Sequence, residues 1–160
     1  MSETRLPPWT PTQERLGSMF VKLMTAANTW VYRLTDGRVW GTFLRGAPVC
    51  LVTAIGRKSS EPRTIALLYL ADGDDVIIVA SKGGMSKNPL WYGNMIANPD
   101  VELQIGSTRL RGRARVVDDE REAAAIRRRF TERYLLARLS RWFGGYTRSV
   151  AVVVERLASA

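Results

Sequence analysis

One hundred and sixty residues, 46% of them apolar, are enough for one domain with a real core and too apolar for a disordered chain. Twenty-four Lys and Arg against 15 Asp and Glu give a net charge of +9, which favours an anionic partner: nucleic acid, an anionic membrane surface, or a phosphorylated or polycarboxylated small molecule. There is no histidine and a single cysteine, which excludes Ser-His-Asp and Cys-His catalysis, histidine or cysteine-rich metal sites, and an intrachain disulfide.

Residues 1–9 read as a flexible, proline-bearing lead, and residues 10–160 as a single domain. MSETRLPPWTPTQERL has no apolar core of a signal peptide, and no run reaches the roughly 20 apolar residues that span a bilayer. A cytoplasmic location is expected, with room for membrane association. Thr10-Pro11-Thr12-Gln13 predicts a helix start, with a capping threonine and a proline at the first helical position. Leu16, Phe20, Leu23, Ala27 and Val31 recur at helical spacing, and Asp36-Gly37 ends the helix. Such a helix either covers a core or, with Trp30 and Trp40 near its end, touches a membrane peripherally.

From Val49 the period changes to that of strands. Val49–Ile55, Arg63–Leu70 and Val76–Ala80 are predicted strands, the last two joined by the turn Ala71-Asp72-Gly73-Asp74-Asp75. Cys50, within PVCLVTAI, reads as a small buried hydrophobe. After the loop Ser81–Asn88, Pro89–Ala97 is a short helix capped by Asn88. Val101–Ile105 and Arg109–Val117 form a second hairpin around Gly106-Ser107-Thr108. Asp118-Asp119-Glu120 opens a long basic helix that runs to Gly144-Gly145, and Ser149–Glu155 is a last strand. Strands that come as hairpins argue for a mainly antiparallel sheet or barrel with helices against it, an α+β protein.

Neither GxGxxG nor GxxxxGK[ST] is present, so a Rossmann or P-loop enzyme is not expected. Two cationic turns stand out instead. GRKSSEPR carries Arg57, Lys58 and Arg63, and Ser81-Lys82-Gly83-Gly84 follows the next hairpin strand. Pairing across the Ala71–Asp75 turn would bring both to one end of the sheet. There arginine forks, a lysine point charge and glycine backbone N–H groups suit one anionic ligand; ordinary solvated charges are the other reading. Pro89-Leu90-Trp91-Tyr92-Gly93-Asn94 suits a wall of a planar ring site or a short core helix.

The segment GRKSSEPRTIALLYLADGDDVIIVASKGGMSKNPLWYGNMIANPDVELQIG resembles the deazaflavin-dependent nitroreductase family of actinobacteria. The shared pattern is a GRK-x-x-x-PR turn, a hairpin, an SKGG loop, then NPxWYxN and ANP. The resemblance starts at Asn28-Thr29-Trp30-Val31-Tyr32-Arg33 and runs at least to Val117.

It implies a split β-barrel of the FMN-binding, flavin-reductase type, mainly antiparallel, with an N-terminal helix and further helices packed on the barrel. It also implies the cofactor coenzyme F-420 (8-hydroxy-5-deazaflavin), whose phosphodiester and polyglutamate tail need cations. By that resemblance Arg57, Lys58, Ser59 and Arg63 hold the phosphate and tail, and Thr64, Ile65 and Ala66 run alongside. Ser81, Lys82, Gly83 and Gly84 border the cofactor, and Trp91 and Asn94 shape the pocket.

The implied reaction is hydride transfer from the reduced cofactor to a small hydrophobic acceptor: a quinone, an enone, an unsaturated lipid or a nitroaromatic. Trp30, Leu68, Tyr134, Trp142 and Tyr146 are the candidate acceptor pocket, and Tyr134 and Ser81 the candidate proton donors. The chain departs from the family at Leu68, where relatives place a pocket tyrosine, and in its basic segment RRRFTERYLLARLSRWFGGYTRS. No metal and no nucleic acid are expected, and a monomer or dimer fits. The alternatives are an FMN-dependent reductase of the same fold and a non-catalytic cofactor carrier.

Overall fold

In a computed structural model of the chain, the described residues are 12, 19, 27, 29–38, 42–43, 47–80, 88–134 and 150–157. Residues 29–35 are helical (α1). The strands are β1 (Thr42–Phe43), β2 (Ala47–Ile55), β3 (Pro62–Asp72) and β4 (Asp75–Ala80). Helix α2 (Leu90–Ala97), β5 (Asp100–Ile105), β6 (Thr108–Val116), α3 (Glu120–Arg133) and β7 (Val150–Arg156) follow. The predicted strands are all present, each extended by a residue or two at one or both ends, except at the C-terminal end of β6. The two-residue β1 is additional; nothing in its composition marks it as a strand.

All ladders are antiparallel, in the order β1-β2-β3-β4-β7-β6-β5. A further ladder, Leu51↔Gln104 through Thr53↔Glu102, joins β5 back to β2 and closes a six-stranded barrel. Closure removes the open edges that β2 and β5 would otherwise expose.

The two-residue period decides the barrel interior. Cys50, Val52 and Ala54 of β2 point inward with Val76 and Ile78, Val101 and Leu103, and Val152 and Val154. Ile78 is fully buried, a gain of roughly 2 kcal/mol over leaving it in water. Helix α2 closes one end of the barrel, with Met95 buried and Trp91 and Tyr92 packed on the same core. Burial raises the Cys50 thiol to about 12, so Cys50 is the small buried hydrophobe expected of it.

The outer faces differ. Across β3, β4 and β7, Leu68, Leu70, Ile77, Ala151 and Val153 meet Ile126, Phe130 and Tyr134 from α3 and its C-cap. Across β2 and β3, Val49, Leu51 and Ala66 meet Tyr32 of α1. That double coverage explains why the β2 segment reads as a continuous apolar run. The outer face of β5 and β6 instead carries Glu102, Gln104, Arg109 and Arg111 beside an open cavity.

Three local expectations need correction. The helical stripe predicted Ala27 and Val31 on the buried side, yet Ala27 is exposed and Val31 half-buried. The buried anchor is Tyr32, because its hydroxyl finds partners inside: it donates to the Val49 carbonyl at 3.1 Å and accepts from the Gly106 N–H at 2.7 Å. Asn88 does not cap α2. Pro89 occupies the cap position in an extended conformation, with no side-chain hydrogen bond. Helix α3 is capped by Asp119, whose carboxylate accepts from the Glu122 N–H at 2.8 Å, and ends at Arg133 with Tyr134 as its C-cap. The predicted continuation to Gly144-Gly145 lies outside the described residues.

Candidate functional site

The GRKSSEPR segment is a tight hairpin turn between β2 and β3. The Gly56 N–H donates to the Glu61 carbonyl at 2.8 Å, and the Ser60 N–H to the Gly56 carbonyl at 2.8 Å. Ser60 takes the left-handed conformation, with φ of 56°. Gly56 has no room for a side chain: a Cβ there would lie 2.7 Å from Ser59 Oγ and 3.2 Å from the Glu61 carbonyl oxygen. The turn is therefore tightly closed, and its cations project from a fixed base.

Helix α2 docks against this turn. Asn94 Oδ1 accepts from the Arg57 backbone N–H at 3.3 Å, and Asn98 Nδ2 donates to the Ile55 carbonyl at 3.1 Å. The Arg57 guanidinium lies where a Gly93 side chain would otherwise be, since a Cβ on Gly93 would fall 1.8 Å from Arg57 Nη1. The structure thus joins two features distant in sequence, the cationic turn and the WYGN helix, and brings Arg57 and Asn94 together. Trp91 is half-buried against the barrel core and meets Tyr92 edge-on at 6.5 Å, which gives it a packing role.

The three turn cations are not equivalent. Arg63 Nη2 is held by Glu61 at 3.2 Å and by Ser59 Oγ at 3.3 Å. Arg57 and Lys58 make no ion pair among the described residues, and both are exposed. Thr64, on the outer face, accepts from Arg33 Nη2 at 2.5 Å and shares a 2.7 Å hydrogen bond with Thr53. Ile65 packs inward and Ala66 under Tyr32. The β3–β4 ladder runs from Asp72↔Asp75 to Tyr69↔Ile78. Ser81, Lys82, Gly83 and Gly84 lie outside the described residues, as do Trp142 and Tyr146.

The remaining acceptor-pocket residues are dispersed. Trp30 is 66% exposed. Leu68 packs between the α1 and α3 clusters. Tyr134, expected as a proton donor, is only 3% exposed. Its hydroxyl donates to the Tyr69 carbonyl, and burial pushes its phenol up to about 12. This is a packing tyrosine: its proton is committed to a backbone carbonyl and the neutral form is favoured.

Sequence reasoning missed a cavity of about 890 Å³ on the outer face of β2, β5 and β6 beside α1. Arg33, Thr53, Glu102, Gln104, Arg109, Arg111 and Arg156 line it, with Leu51 and Leu110 among its apolar walls. Of the described cofactor residues expected from the sequence, Thr64 reaches it. The readable signal was the alternation in TRLRGRARV, which puts every arginine of β6 on one face.

A closed antiparallel barrel, helix-covered on one side and rimmed by a cationic turn, places the chain in the split-barrel class of flavin and deazaflavin reductases. Residues 24–156 match the family described as F420H(2)-dependent quinone reductase, and the chain belongs to that family. An F420H(2)-dependent quinone reductase of Mycobacterium tuberculosis is 47% identical over 79 residues, covering 49% of this chain and 53% of the relative. The match therefore spans about half the length of that curated relative. Among solved structures, an F420-H2 dependent reductase (FDR-A) is 30% identical with a TM-score of 0.59, over 71% of this chain and 97% of that one. A structure described as a domain-swapped dimer is 28% identical with a TM-score of 0.60, over 81% of this chain and 96% of the other.

Proposed function

We propose that this protein binds reduced coenzyme F-420 at the rim formed by the GRKSSEPR turn and α2, and reduces a quinone-like hydrophobic acceptor with it. The observation that carries the reading is the pair of exposed cations, Arg57 and Lys58, that have no acidic partner among the described residues, on a turn clamped by Asn94 and Asn98. An anion placed there meets donors that are already positioned, so little ordering is lost on binding. The residues present fit a phosphorylated, carboxylate-bearing cofactor. When bound, the cofactor supplies the hydride chemistry, and the protein supplies binding and orientation. Arg57 and Lys58 hold the anionic part, and Arg63 is partly neutralised by Glu61. Ser59, Thr64, Ile65 and Ala66, with Ser81, Lys82, Gly83 and Gly84, form the proposed border of the cofactor. Ser81 or solvent is the proposed proton source, since Tyr134 is committed in the core.

Two measurements test this. Titration with coenzyme F-420 should show binding that Arg57→Ala and Lys58→Ala each weaken roughly tenfold or more, the size of one lost charge-assisted contact. Unchanged affinity in both variants would remove the turn from the site. Oxidation of the reduced cofactor is then followed with menadione, an enone and a nitroaromatic. Turnover with menadione supports the quinone reading, and binding without turnover on any acceptor supports a carrier.

Peripheral membrane contact is part of the same proposal. Met19, Trp30 and Leu34 are large apolar side chains exposed at helical positions, and Trp30 and Leu34 share a face. No described helix is long and apolar enough to cross a membrane. Co-sedimentation with anionic vesicles should fall in Trp30→Ser/Leu34→Ser; unchanged sedimentation argues against this face.

A further inference from the structure

Cations also gather away from the turn. The strand period sets Arg109, Arg111, Arg113 and Arg115 on the outer face of β6. Two of them have matched acids: Arg113 Nε donates to Asp100 Oδ1 at 2.8 Å, and Arg115 Nε to Glu155 Oε1 at 2.9 Å. Arg109 and Arg111 have no acidic partner among the described residues, and both line the 890 Å³ cavity with Arg33 and Arg156. Arg156 is held by Asp74 at 3.5 Å, and Glu102 is the single carboxylate among the described lining residues. Gln104 lines the same cavity and is 8% exposed. Its Nε2 donates to the Gly106 carbonyl at 3.1 Å, while its Oε1 meets no donor among the described residues.

Cross-strand register connects this cavity to the turn. Thr64, Thr53, Glu102 and Arg111 stand in one row across β3, β2, β5 and β6. Three strand spacings make the row roughly 14 Å long. It begins at the residue after Arg63.

We propose that this cavity is a second anion site, which takes a short chain of carboxylates or phosphates lying along the row from Thr64 to Arg111. Arg109 and Arg111 stand two residues apart on one face and repel one another, with Glu102 opposite Arg111 but not ion-paired to it, and a ligand with two or more negative groups removes that repulsion while accepting from their planar forks. Leu51, Leu110 and Leu157 offer apolar wall to the aliphatic spacers between acidic groups. Glu102 disfavours negative charge at the middle of the row, so the anionic groups seat at Arg33 on one side and Arg109 and Arg111 on the other. Such a chain has two sources: the anionic tail of the cofactor proposed for the turn, or a separate small polyanion. The proposal rests on the cofactor reading only for the first source.

Calorimetric titration of the full chain with sodium tripolyphosphate and with γ-linked triglutamate tests it. The expected result is a saturable site for at least one probe that survives Lys58→Ala and weakens roughly tenfold or more in Arg109→Ala/Arg111→Ala. Arg113→Ala, on the same face but ion-paired, should leave that affinity in place, and unchanged melting temperatures show that the variants fold. Equal affinity in the double arginine variant, or no binding of either probe, overturns the proposal. Parallel titrations with coenzyme F-420 and a form without its glutamate tail identify the source. A tail-dependent gain that vanishes in the double variant assigns the row to the cofactor. Equal affinity of the two forms, with probe binding retained, assigns it to a separate anion. If neither cofactor form binds while a probe does, the second anion site stands and the cofactor reading fails.

Discussion

At Gly93 the absence of a side chain decides where Arg57 lies. The guanidinium occupies the volume a methyl group would take, 1.8 Å from Nη1, so an alanine there must push it off α2. Gly93→Ala should therefore weaken coenzyme F-420 binding roughly tenfold. The fold should be little affected, because alanine favours a helix over glycine by about 1 kcal/mol. A cofactor titration beside a thermal melt separates the two effects, and an unchanged affinity would show that Arg57 need not lie on α2 to bind. GRKSSEPR was legible as a cationic turn from composition. That Glu61 partly neutralises Arg63 while Arg57 and Lys58 have no acidic partner among the described residues is a matter of rotamers, which spacing alone does not reveal.

Elements dock on this barrel through individual polar anchors set in apolar faces. Helix α3 presents Ile126 and Phe130 to β4 and β7, and Tyr134 meets Phe130 edge-on at 5.3 Å while donating to the Tyr69 carbonyl. Burial raises the Tyr134 phenol from 10.0 to about 12, whereas an unfolded chain releases that proton near 10. The stabilisation is thus fully present below pH 10 and is lost as pH rises through about 12. Tyr134→Phe should cost about 1 kcal/mol at neutral pH through the lost hydrogen bond. It should also flatten the alkaline fall in stability between pH 10 and 12 by up to about 1.4 kcal/mol per pH unit. Denaturant unfolding of both proteins across that range checks the sign; an unchanged alkaline slope would mean that the phenol titrates normally. Burial raises Tyr32 and Tyr69 as well, so wild type should fall more steeply than one group alone would cause.

At the scale of the whole molecule, Tyr32 ties α1 to the barrel. It is 1% exposed, its ring fills the space over Gly37, and its hydroxyl joins β2 to the β5–β6 turn. Tyr32→Phe leaves a buried carbonyl and N–H without that partner and should destabilise the protein by about 1–3 kcal/mol. The barrel ladders should persist, because the ring still packs. Urea unfolding with hydrogen exchange at Gly106 measures both, and a loss under about 0.5 kcal/mol would indicate that other groups take over the two bonds.

The strand and helix periods, the turn chemistry and the exclusion of histidine chemistry were all present in the order of residues, because each depends on neighbours within a few positions. The family could be read there too, since its pattern is carried by one nearly continuous block of sequence. Tertiary structure alone decided three things. It closed β2 onto β5, turned Tyr134 from an expected proton donor into a buried anchor, and opened a cavity beside Arg109 and Arg111. Each depends on which residues far apart in the chain come to share a few ångströms of space. That is set by packing and register between strands, and local sequence pattern does not encode it.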